Sequence, residues 1–443
     1  MLADDGIVAS MYVVGEKARL WERRGRTDVI AAVRQHDVGL HTDHHSVHPT
    51  VSEYLADKGW ADGVAEGLQQ EGPGARDLAR IFGVYPSTWA TSGSSWAPQI
   101  PAVTRRLGLR SNIYSHVQVG QSGGCWFTGQ LCFHDVLVIP GAEDSYCDDA
   151  TFEASLPGLL QQVEDARQRG FACIGLFGGH PTRLRYTLFW DSLNYAHGRN
   201  TAVADYQHAP RRTDAAYASA LRNLRRAILA VRQMPGIDLT SPRAFPGLFE
   251  PETGPVAWWT VRALAQAVLD SSQISVENPD ASPAQALDLM ARALIRLAEG
   301  GARPGHLMMQ TVLGPVEEPP ALVSPVTASE AELLGLCREL VAHVKVTGHL
   351  PSSLSLGRTA VGPGALLRAV ALAFLGRDAG QPPDRITMPP GWDEPAVAAS
   401  LAEAAINRRL PYWSPHRPDL RLDRLALHTR LQSWSLKPAR PNR

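Results

Sequence analysis

Short apolar runs rich in β-branched residues alternate with amphipathic stretches through the first half of the chain. The run "GIVASMYVVGEKA" (6–18) predicts a buried strand, "ERRGRTDVIAAVRQH" (22–36) a helix, and "DVGLHT" (37–42) a second strand. Further along, "ATFEASLPGLLQQVEDARQRG" (150–170) has helical periodicity, and "FACIGLFGGH" (171–180) is typical of a strand. Strands that alternate with helices in this way predict an α/β fold with a parallel sheet or barrel.

Two of these predicted strands end in a histidine, His41 and His180, although the two residues lie far apart in the sequence. In parallel α/β folds, ligands bind at the carboxyl ends of the strands, where neighbouring strands present their side chains at one edge. We therefore expect the two histidines to contribute to a single site.

The first of these histidines belongs to a dense cluster, "HTDHHSVHP" (41–49). The spacing of His41 and His45 places two imidazoles on one side of a helical turn, close enough to bind one metal ion. His44 and His48 have the same spacing, and we assign them to the surrounding groove. Asp43 lies between the two predicted ligands and points elsewhere in a regular turn.

The second half of the chain has a mainly helical pattern. The stretches 282–301 and 329–348 are both helical and each leads into a similar tail, which predicts two imperfect repeats at 282–315 and 329–363. We therefore divide the chain into an α/β domain at 1–248 and a helical repeat module at 249–443.

Charge and composition exclude some classes of partner. The chain has 443 residues, with 43 Lys+Arg against 44 Asp+Glu, and it has no basic stripe that would bind nucleic acid. No apolar run reaches the roughly 18 residues that a membrane-spanning helix needs. The five cysteines are scattered without a CxxC pair, so they predict neither a zinc ribbon nor a disulfide framework.

The order of "MYVVG", "HTDHH" and "ACIGLFGGHPT" along the first 245 residues resembles the NodB-like polysaccharide deacetylases. The resemblance implies a (β/α)7-type barrel with a divalent metal, zinc in the first place, on His41 and His45. It also implies that His180 is the general acid and that the substrate is an N-acetylated sugar or polysaccharide. Where the family has an arginine motif, this chain has Val84-Tyr85-Pro86.

The chain departs from this family at its start. The family's first strand ends in an Asp-Asp pair that supplies the catalytic base and a third ligand, and a helix follows it. Here Asp4 and Asp5 directly precede the strand at 6–18, so we interpret them as unrelated to that pair. We expect the barrel to be incomplete and its first strand, with any export signal, to be missing; localisation and oligomeric state stay open.

Three functions remain compatible with this pattern. The first is metal-dependent deacetylation of N-acetylated sugars. The second is non-catalytic carbohydrate or cell-wall binding, which the missing Asp pair favours. The third is a related metallohydrolase that acts on another amide. The turn "GHLPSSLSLG" (348–357) resembles pseudomurein-binding repeats, which implies attachment to a cell wall.

Aromatic and polar residues that suit a sugar groove occur in two places. Aromatic rings pack on sugar faces, whereas carboxylates and amides bond to hydroxyl groups. The predicted groove residues are Trp89, Trp96, Trp190, Asp191 and Asn194.

Overall fold

The computed structural model describes residues 2–113, 115–117, 119–120, 123–134 and 136–442. Strands β1 to β15 are, in order, Ser10–Val13, Asp37–Leu40, Thr88–Ala90, Ser111–Ile113, Cys125–Phe127, Gln130–Phe133, Val136–Leu137, Gly175–Leu176, Gly254–Ala257, His306–Met309, Val326–Ser329, Leu354–Leu356, Thr359–Val361, Arg385–Met388 and Lys437–Pro438. Helices α1 to α17 are Gly15–Arg23, Thr27–Val33, Val51–Leu55, Trp60–Phe82, Ile100–Arg106, Ala142–Tyr146, Asp149–Gln168, Pro181–Arg185, Trp190–Asn194, Asp214–Arg232, Phe245–Leu248, Trp258–Asp270, Pro283–Ala298, Glu330–Thr347, Pro363–Asp378, Ala398–Ala402 and Asp423–Gln432.

The fold is a mixed α/β architecture around a mostly parallel central sheet, which confirms the predicted fold class at that level. The strand order is β1-β2-β3-β4-β6-β5-β15. Strands β1, β2, β3, β4 and β6 run parallel, and β5 and β15 run antiparallel to their neighbours. The carboxyl ends of the parallel strands therefore lie along one edge of the sheet.

The strands of this sheet are apolar because they are covered on both faces. Val38 and Leu40 of β2 are fully buried, and they share a core with Leu78 of the long helix α4. A parallel strand that is buried on both faces needs a nearly continuous apolar sequence rather than an alternating one. This requirement explains the pattern "DVGL", in which all four residues are buried.

A second core lies around the short parallel pair β7 and β8. It joins α6, α7 and α10 to the beginning of the chain, where Ile7 packs into the same cluster. Asp5 lies in a 3-10 turn at Ala3–Asp5 and forms an ion pair with Arg225 of α10. The pair Asp4-Asp5 thus precedes β1 at its amino end, as the sequence predicted, and Asp5 has a structural partner there.

The region from residue 254 to residue 388 has a separate helical core formed by α12, α13, α14 and α15. Strand β9 pairs antiparallel with β10, and β11 pairs antiparallel with β14. Each of these two-stranded sheets therefore joins the two ends of a helical pair. The element orders are β9-α12-α13-β10 and β11-α14-β12-β13-α15-β14, and β12 and β13 form a hairpin between the two helices. The repeats predicted at 282–315 and 329–363 begin with α13 and α14. The predicted repeat therefore matches α13, the second helix of the first pair, with α14, the first helix of the second pair.

The last part of the chain returns to the central sheet. Strand β15 pairs with β5, and Leu410, Leu425 and Leu436 lie in the same core as β2. The division predicted at residue 248 did not include this return. Among the helices that the structure describes, none has the length and hydropathy needed to cross a membrane.

Candidate functional site

The histidine-rich turn begins where β2 ends, at the carboxyl edge of the sheet. Its backbone is irregular, because Thr42 and His45 have positive φ angles of 61° and 53°. The Thr42 hydroxyl accepts a hydrogen bond from the His45 amide at 2.9 Å and lies 3.0 Å from the Ser92 hydroxyl. The regular helical turn predicted from the spacing is therefore wrong, and an irregular turn held by Thr42 takes its place.

This turn brings the two predicted metal ligands together. The rings of His41 and His45 have centroids 4.9 Å apart. The Nδ1 atom of His41 lies 3.0 Å from the carbonyl oxygen of Ala90, which can only accept, so Nδ1 carries the proton. The opposite nitrogen, Nε2, therefore has a free lone pair in the neutral ring.

A hydroxyl relay orients the second imidazole. Nδ1 of His45 lies 2.6 Å from the Ser46 hydroxyl, which donates to Oδ2 of Asp191 at 3.2 Å. Because the Ser46 proton goes to the carboxylate, His45 donates through Nδ1 and keeps the lone pair on Nε2. Burial raises the pKa of Asp191, whose residue is only 7% exposed.

Both rings are neutral at physiological pH. Burial lowers the pKa of His41 to about 4, and burial together with the neighbouring His41 holds the pKa of His45 well below its usual value. Neutral imidazoles with a free Nε2 and a bonded Nδ1 are what a divalent metal ion requires of histidine ligands. His41 and His45 therefore fit the divalent metal ion that the family resemblance implies. Within the described ranges, however, no group of three or more His, Cys, Asp or Glu residues is arranged to hold an ion.

Asp43, between the two histidines, has a different role. Its carboxylate forms an ion pair with Arg19 at 2.7 Å, and its amide donates to Oε2 of Glu71 at 3.1 Å. A Cβ on Gly15 would lie 2.0 Å from Oδ1 of Asp43, so glycine is required there. Burial raises the pKa of Glu71 to about 7, and the Tyr54 hydroxyl donates to its other oxygen. Asp43 thus anchors the turn to the helical layer.

His180 follows β8, which pairs with β7 in a separate two-stranded sheet and not in the central sheet. Its charge is among those that lower the pKa values of His41 and His45, which places the three imidazoles in one electrostatic environment. Its Nδ1 lies 2.5 Å from Oε1 of Glu143, and its amide donates to the same oxygen. Burial alone would raise the pKa of Glu143, but the hydrogen bonds from His180 outweigh burial and lower it to about 2. Glu143 therefore stays ionised and fixes the orientation of the ring.

The two other histidines of the turn have different environments. His44 is half-exposed, with Nε2 3.2 Å from Oδ2 of Asp43. His48 contacts Glu53 through Nδ1 at 2.6 Å and the Tyr195 carbonyl through Nε2 at 3.0 Å, and its side chain is 6% exposed. His48 therefore has both ring nitrogens engaged in holding the loop, whereas His44 remains open to the solvent.

The predicted groove residues separate into two groups. Asp191 reaches the site through Ser46, and Trp190 is half-buried beneath the Lys17 ammonium, 5.9 Å from the ring centre. Trp89 and Trp96 are completely buried, so neither contacts a ligand in this conformation. Asn194 is also buried, and its amide bonds to the backbone of Trp190 and Gln207. The sequence pattern does not distinguish groove aromatics from core aromatics.

Three residues of the site were not predicted: Ser46, Glu143 and Trp413. The Trp413 ring lies 6.0 Å from the His45 ring. It comes from the segment that returns to the sheet near the end of the chain. Ser46 could have been predicted, because it directly follows the predicted ligand His45 in the sequence. Glu143 and Trp413 could not, because tertiary packing brings them to the site from distant segments.

The chain matches no family model and no curated protein in the comparisons made. The arrangement itself can perform two tasks. Two neutral imidazoles can bind a divalent ion, and a third, oriented by a carboxylate, can transfer a proton. The Asp4-Asp5 pair takes no part in either task, since Asp5 is paired with Arg225.

Proposed function

We propose that this protein is a metal-dependent hydrolase that removes acetyl groups from N-acetylated sugars. The observation that carries the proposal is the pair His41 and His45, whose Nδ1 atoms are both hydrogen-bonded and whose Nε2 atoms have no hydrogen-bond partner among the described residues. His180 is close enough to contribute to lowering the pKa values of both rings. A neutral imidazole with a bonded Nδ1 and an available Nε2 is the form in which histidine binds a divalent ion.

His41 and His45 would hold the ion, and zinc is the first candidate because it accepts nitrogen ligands in tetrahedral sites. When bound, the ion would polarise the acetamide carbonyl and lower the pKa of a water molecule. The Ser46–Asp191 relay would keep the His45 ring in position, which raises the basicity of the ligand.

His180 would supply the proton for the leaving nitrogen. In the hydrolysis, a bond would form between the water oxygen and the carbonyl carbon while the water gives a proton to the unprotonated ring nitrogen of His180. The C–N bond would then break as the nitrogen takes that proton from the ring. Because Glu143 holds Nδ1, the proton would come from the opposite nitrogen, Nε2. Phe177 and Phe189 pack around the ring, with centroids 5.0 and 4.8 Å away, and would limit its motion.

The finer architecture is part of this proposal. We place the central sheet in an incomplete (β/α)7-type barrel, and we assign the helical module to attachment to a cell wall or polysaccharide. The carbohydrate partner follows from the resemblance in the first 245 residues and from the half-buried Trp190 beside the site.

A second candidate function is non-catalytic carbohydrate binding on the same scaffold. It is favoured by one observation, namely that the described residues supply two metal ligands without a third. A hydrolase of another amide remains the third candidate, with the same histidines in the same roles.

The experiment measures zinc content and acetate release from N-acetylglucosamine oligomers with the purified chain. We expect one bound zinc ion and acetate release, and we expect His41→Ala/His45→Ala to lose both. The matched control is His44→Ala in the same turn, which should retain the zinc ion because the His44 ring is open to the solvent. Glu143→Gln should retain zinc but lower kcat, because His180 loses its orienting carboxylate.

Other results would contradict the proposal in distinct ways. Oligomer binding with neither zinc nor acetate release would support the carbohydrate-binding protein. Bound zinc with hydrolysis of another amide, and none of the sugar, would support the third candidate. Zinc retention by the double variant would remove His41 and His45 from the site.

A further inference from the structure

Two cysteines lie directly opposite each other in the antiparallel hairpin of strands β5 and β6. Cys125 is the first residue of β5, and its register partner in β6 is Cys132. Opposite residues in an antiparallel pair have Cα atoms about 4.5–5.5 Å apart, and a disulfide requires about 4.4–6.8 Å. The backbone of the hairpin therefore places the two residues at the separation that a disulfide bridges.

The two cysteine side chains also point to the same side of the sheet. Cys125 and Cys132 are both fully buried in the core that contains Leu40 of β2. Trp126 and Leu131, the next opposed pair, pack into a different cluster, as the alternation of side chains along a strand requires. Burial, and after it the neighbouring Cys125, raises the pKa of Cys132, which indicates that the two sulfur atoms lie close together.

The register of the hairpin is fixed at its turn. Thr128 and Gly129 both have positive φ angles, 50° and 75°, which is the combination of a two-residue type I′ turn. The amide of Thr128 donates to the Ser435 hydroxyl at 3.0 Å, so the turn is tied to the segment that returns to the sheet near the end of the chain. Because turn type and loop length set the pairing of a hairpin, Cys125 stays opposite Cys132.

The present contacts of the two thiols are weak. Sγ of Cys125 lies 3.5 Å from the Val117 carbonyl oxygen, and Sγ of Cys132 lies 3.5 Å from the Gln130 carbonyl oxygen. A thiol is a weak hydrogen-bond donor, so the loss of both contacts costs little. The remaining cysteines pack in three other clusters, which separates them from this pair: Cys147, Cys173 and Cys337.

We propose that Cys125 and Cys132 form a disulfide when the chain folds in the presence of a disulfide oxidant such as glutathione disulfide. One cysteine thiolate attacks the S–S bond of the oxidant, which gives a mixed disulfide and one released thiol. The other thiolate attacks the cysteine sulfur of the mixed disulfide and releases the second thiol. Two cysteine thiols are thereby oxidised to one S–S bond, and the oxidant is reduced to two thiols that take up the two protons.

Burial determines when this bond can form. The thiolate is the form that attacks a disulfide, and burial raises the pKa of Cys125 to about 12. Neither side chain has exposed surface in the folded chain. A folded chain with two thiols would therefore stay reduced, and the state of the pair would record the redox conditions in which the chain folded. This inference is independent of the proposed hydrolysis, because neither cysteine belongs to that site.

The bond would secure the junction between the sheet and the returning segment. Strand β5 joins the parallel strands through β6, and it joins the returning segment through β15, where Pro438 lies opposite Cys125. The same segment brings Trp413 to His45. A covalent link between β5 and β6 would therefore hold the strand on which this segment depends.

The test refolds the denatured and reduced full-length chain in glutathione buffers and counts its thiols after a second denaturation. We expect all five cysteines to be thiols after refolding with reduced glutathione, and two fewer thiols after refolding with excess glutathione disulfide. Chymotrypsin, which cleaves after Trp126 and Phe127, should release two peptides joined by one disulfide from the oxidised chain. The chain that was folded in the reduced state should retain all five thiols in the same oxidant.

The matched control is Cys337→Ala in the separate helical core, which should still lose two thiols on oxidative refolding. Cys125→Ala and Cys132→Ala should each have the same number of thiols after both refolding reactions. Five thiols in the oxidatively refolded wild type, or joined peptides that contain other cysteines, would overturn the pair without recourse to any variant. Loss of two thiols from the chain already folded would overturn the role of burial.

Discussion

Two pairs of histidines lie at the carboxyl edge of the same sheet, and they differ in how they are held. His41 and His45 follow β2, with ring centroids 4.9 Å apart. His116 follows β4 and His134 follows β6, with ring centroids 5.5 Å apart. Burial lowers the pKa of His116 to about 3, so this ring, like His41 and His45, is neutral at physiological pH.

The difference lies in the hydrogen bonds. His41 and His45 each have Nδ1 bonded, to a backbone carbonyl and to the Ser46–Asp191 relay. His116 has neither ring nitrogen bonded to any described residue, and its ring packs 5.9 Å from Trp96. The groups that fix the tautomer and direct Nε2 therefore distinguish His41 and His45 from His116.

The largest expected effect is the loss of zinc binding in His41→Ala/His45→Ala. Both proposed nitrogen ligands disappear in this variant, and the described residues contain no group of three or more His, Cys, Asp or Glu arranged to hold an ion instead. Equilibrium dialysis should detect stoichiometric zinc in the wild type and none in this variant. His116→Leu/His134→Leu is the control and should bind zinc as the wild type does. Loss of zinc in that control would reverse the assignment of the two pairs.

A smaller effect is expected when the relay behind His45 is weakened. Asp191→Asn keeps the shape of the side chain but removes the charge that accepts the Ser46 proton. Changes to partners of metal ligands lower affinity by about 10–100-fold, and we expect this range in a competition titration with a chelator. Ser192→Ala, next in the chain, should leave the affinity unchanged. Equal affinities of Asp191→Asn and wild type would mean that the relay does not orient His45.

The hydrogen bond from the Asp43 amide to Glu71 holds the histidine turn on α4, and it should be visible in the pH dependence of stability. Folding raises the pKa of Glu71 from 4.5 to about 7. Between these two pH values the folded chain therefore binds a proton that the unfolded chain has released. This proton stabilises the folded state fully below the pKa of Glu71 in the unfolded chain, and the stabilisation is lost as the pH rises through 7. The free energy of unfolding should fall by about 3 kcal/mol in total over this range. Glu71→Gln should remove this slope in urea unfolding between pH 5 and 8.

The control for that measurement is Glu66→Gln, on the same helix and half-buried, which should retain the wild-type slope. An identical pH dependence in wild type and Glu71→Gln would show that Glu71 does not bind a proton on folding.

The smallest effect is expected at His116. Because its ring nitrogens have no partner among the described residues, replacing it with an apolar residue removes a desolvation cost. We expect His116→Leu to change the free energy of unfolding by about 1 kcal/mol or less, in the stabilising direction. His45→Leu is the comparison and should destabilise, since Ser46 and Asp191 lose a partner. A loss of several kcal/mol in His116→Leu would indicate hidden hydrogen bonds at this pair.

The sequence predicted the parts of the site that depend on local pattern. Apolar runs located β2 and the end of β8, which His41 and His180 follow. The two strands lie in different sheets, so the alignment of parallel strands within one sheet does not account for the proximity of the two histidines. The mostly parallel sheet followed from the same alternation. The spacing of His41 and His45 was informative although the turn proved irregular, since Thr42 bonds hold the rings close.

The remaining parts of the site depend on contacts between distant segments. Glu143 meets His180 because α6 packs on α8, and nothing near either residue in the sequence indicates this pairing. Trp413 reaches His45 because the C-terminal segment returns to the sheet through β15, a strand of only two residues. Trp89 and Trp96 carry no sign in the sequence of whether they face the core or a ligand.

The most direct test of the central claim is X-ray absorption spectroscopy of the zinc-loaded chain. We expect one zinc ion with two imidazole nitrogens at about 2.0–2.1 Å and oxygen in the remaining positions. The spectrum should be unchanged in His116→Leu/His134→Leu. Coordination by sulfur, an imidazole signal that disappears with the second pair, or the absence of bound zinc would contradict the assignment of His41 and His45.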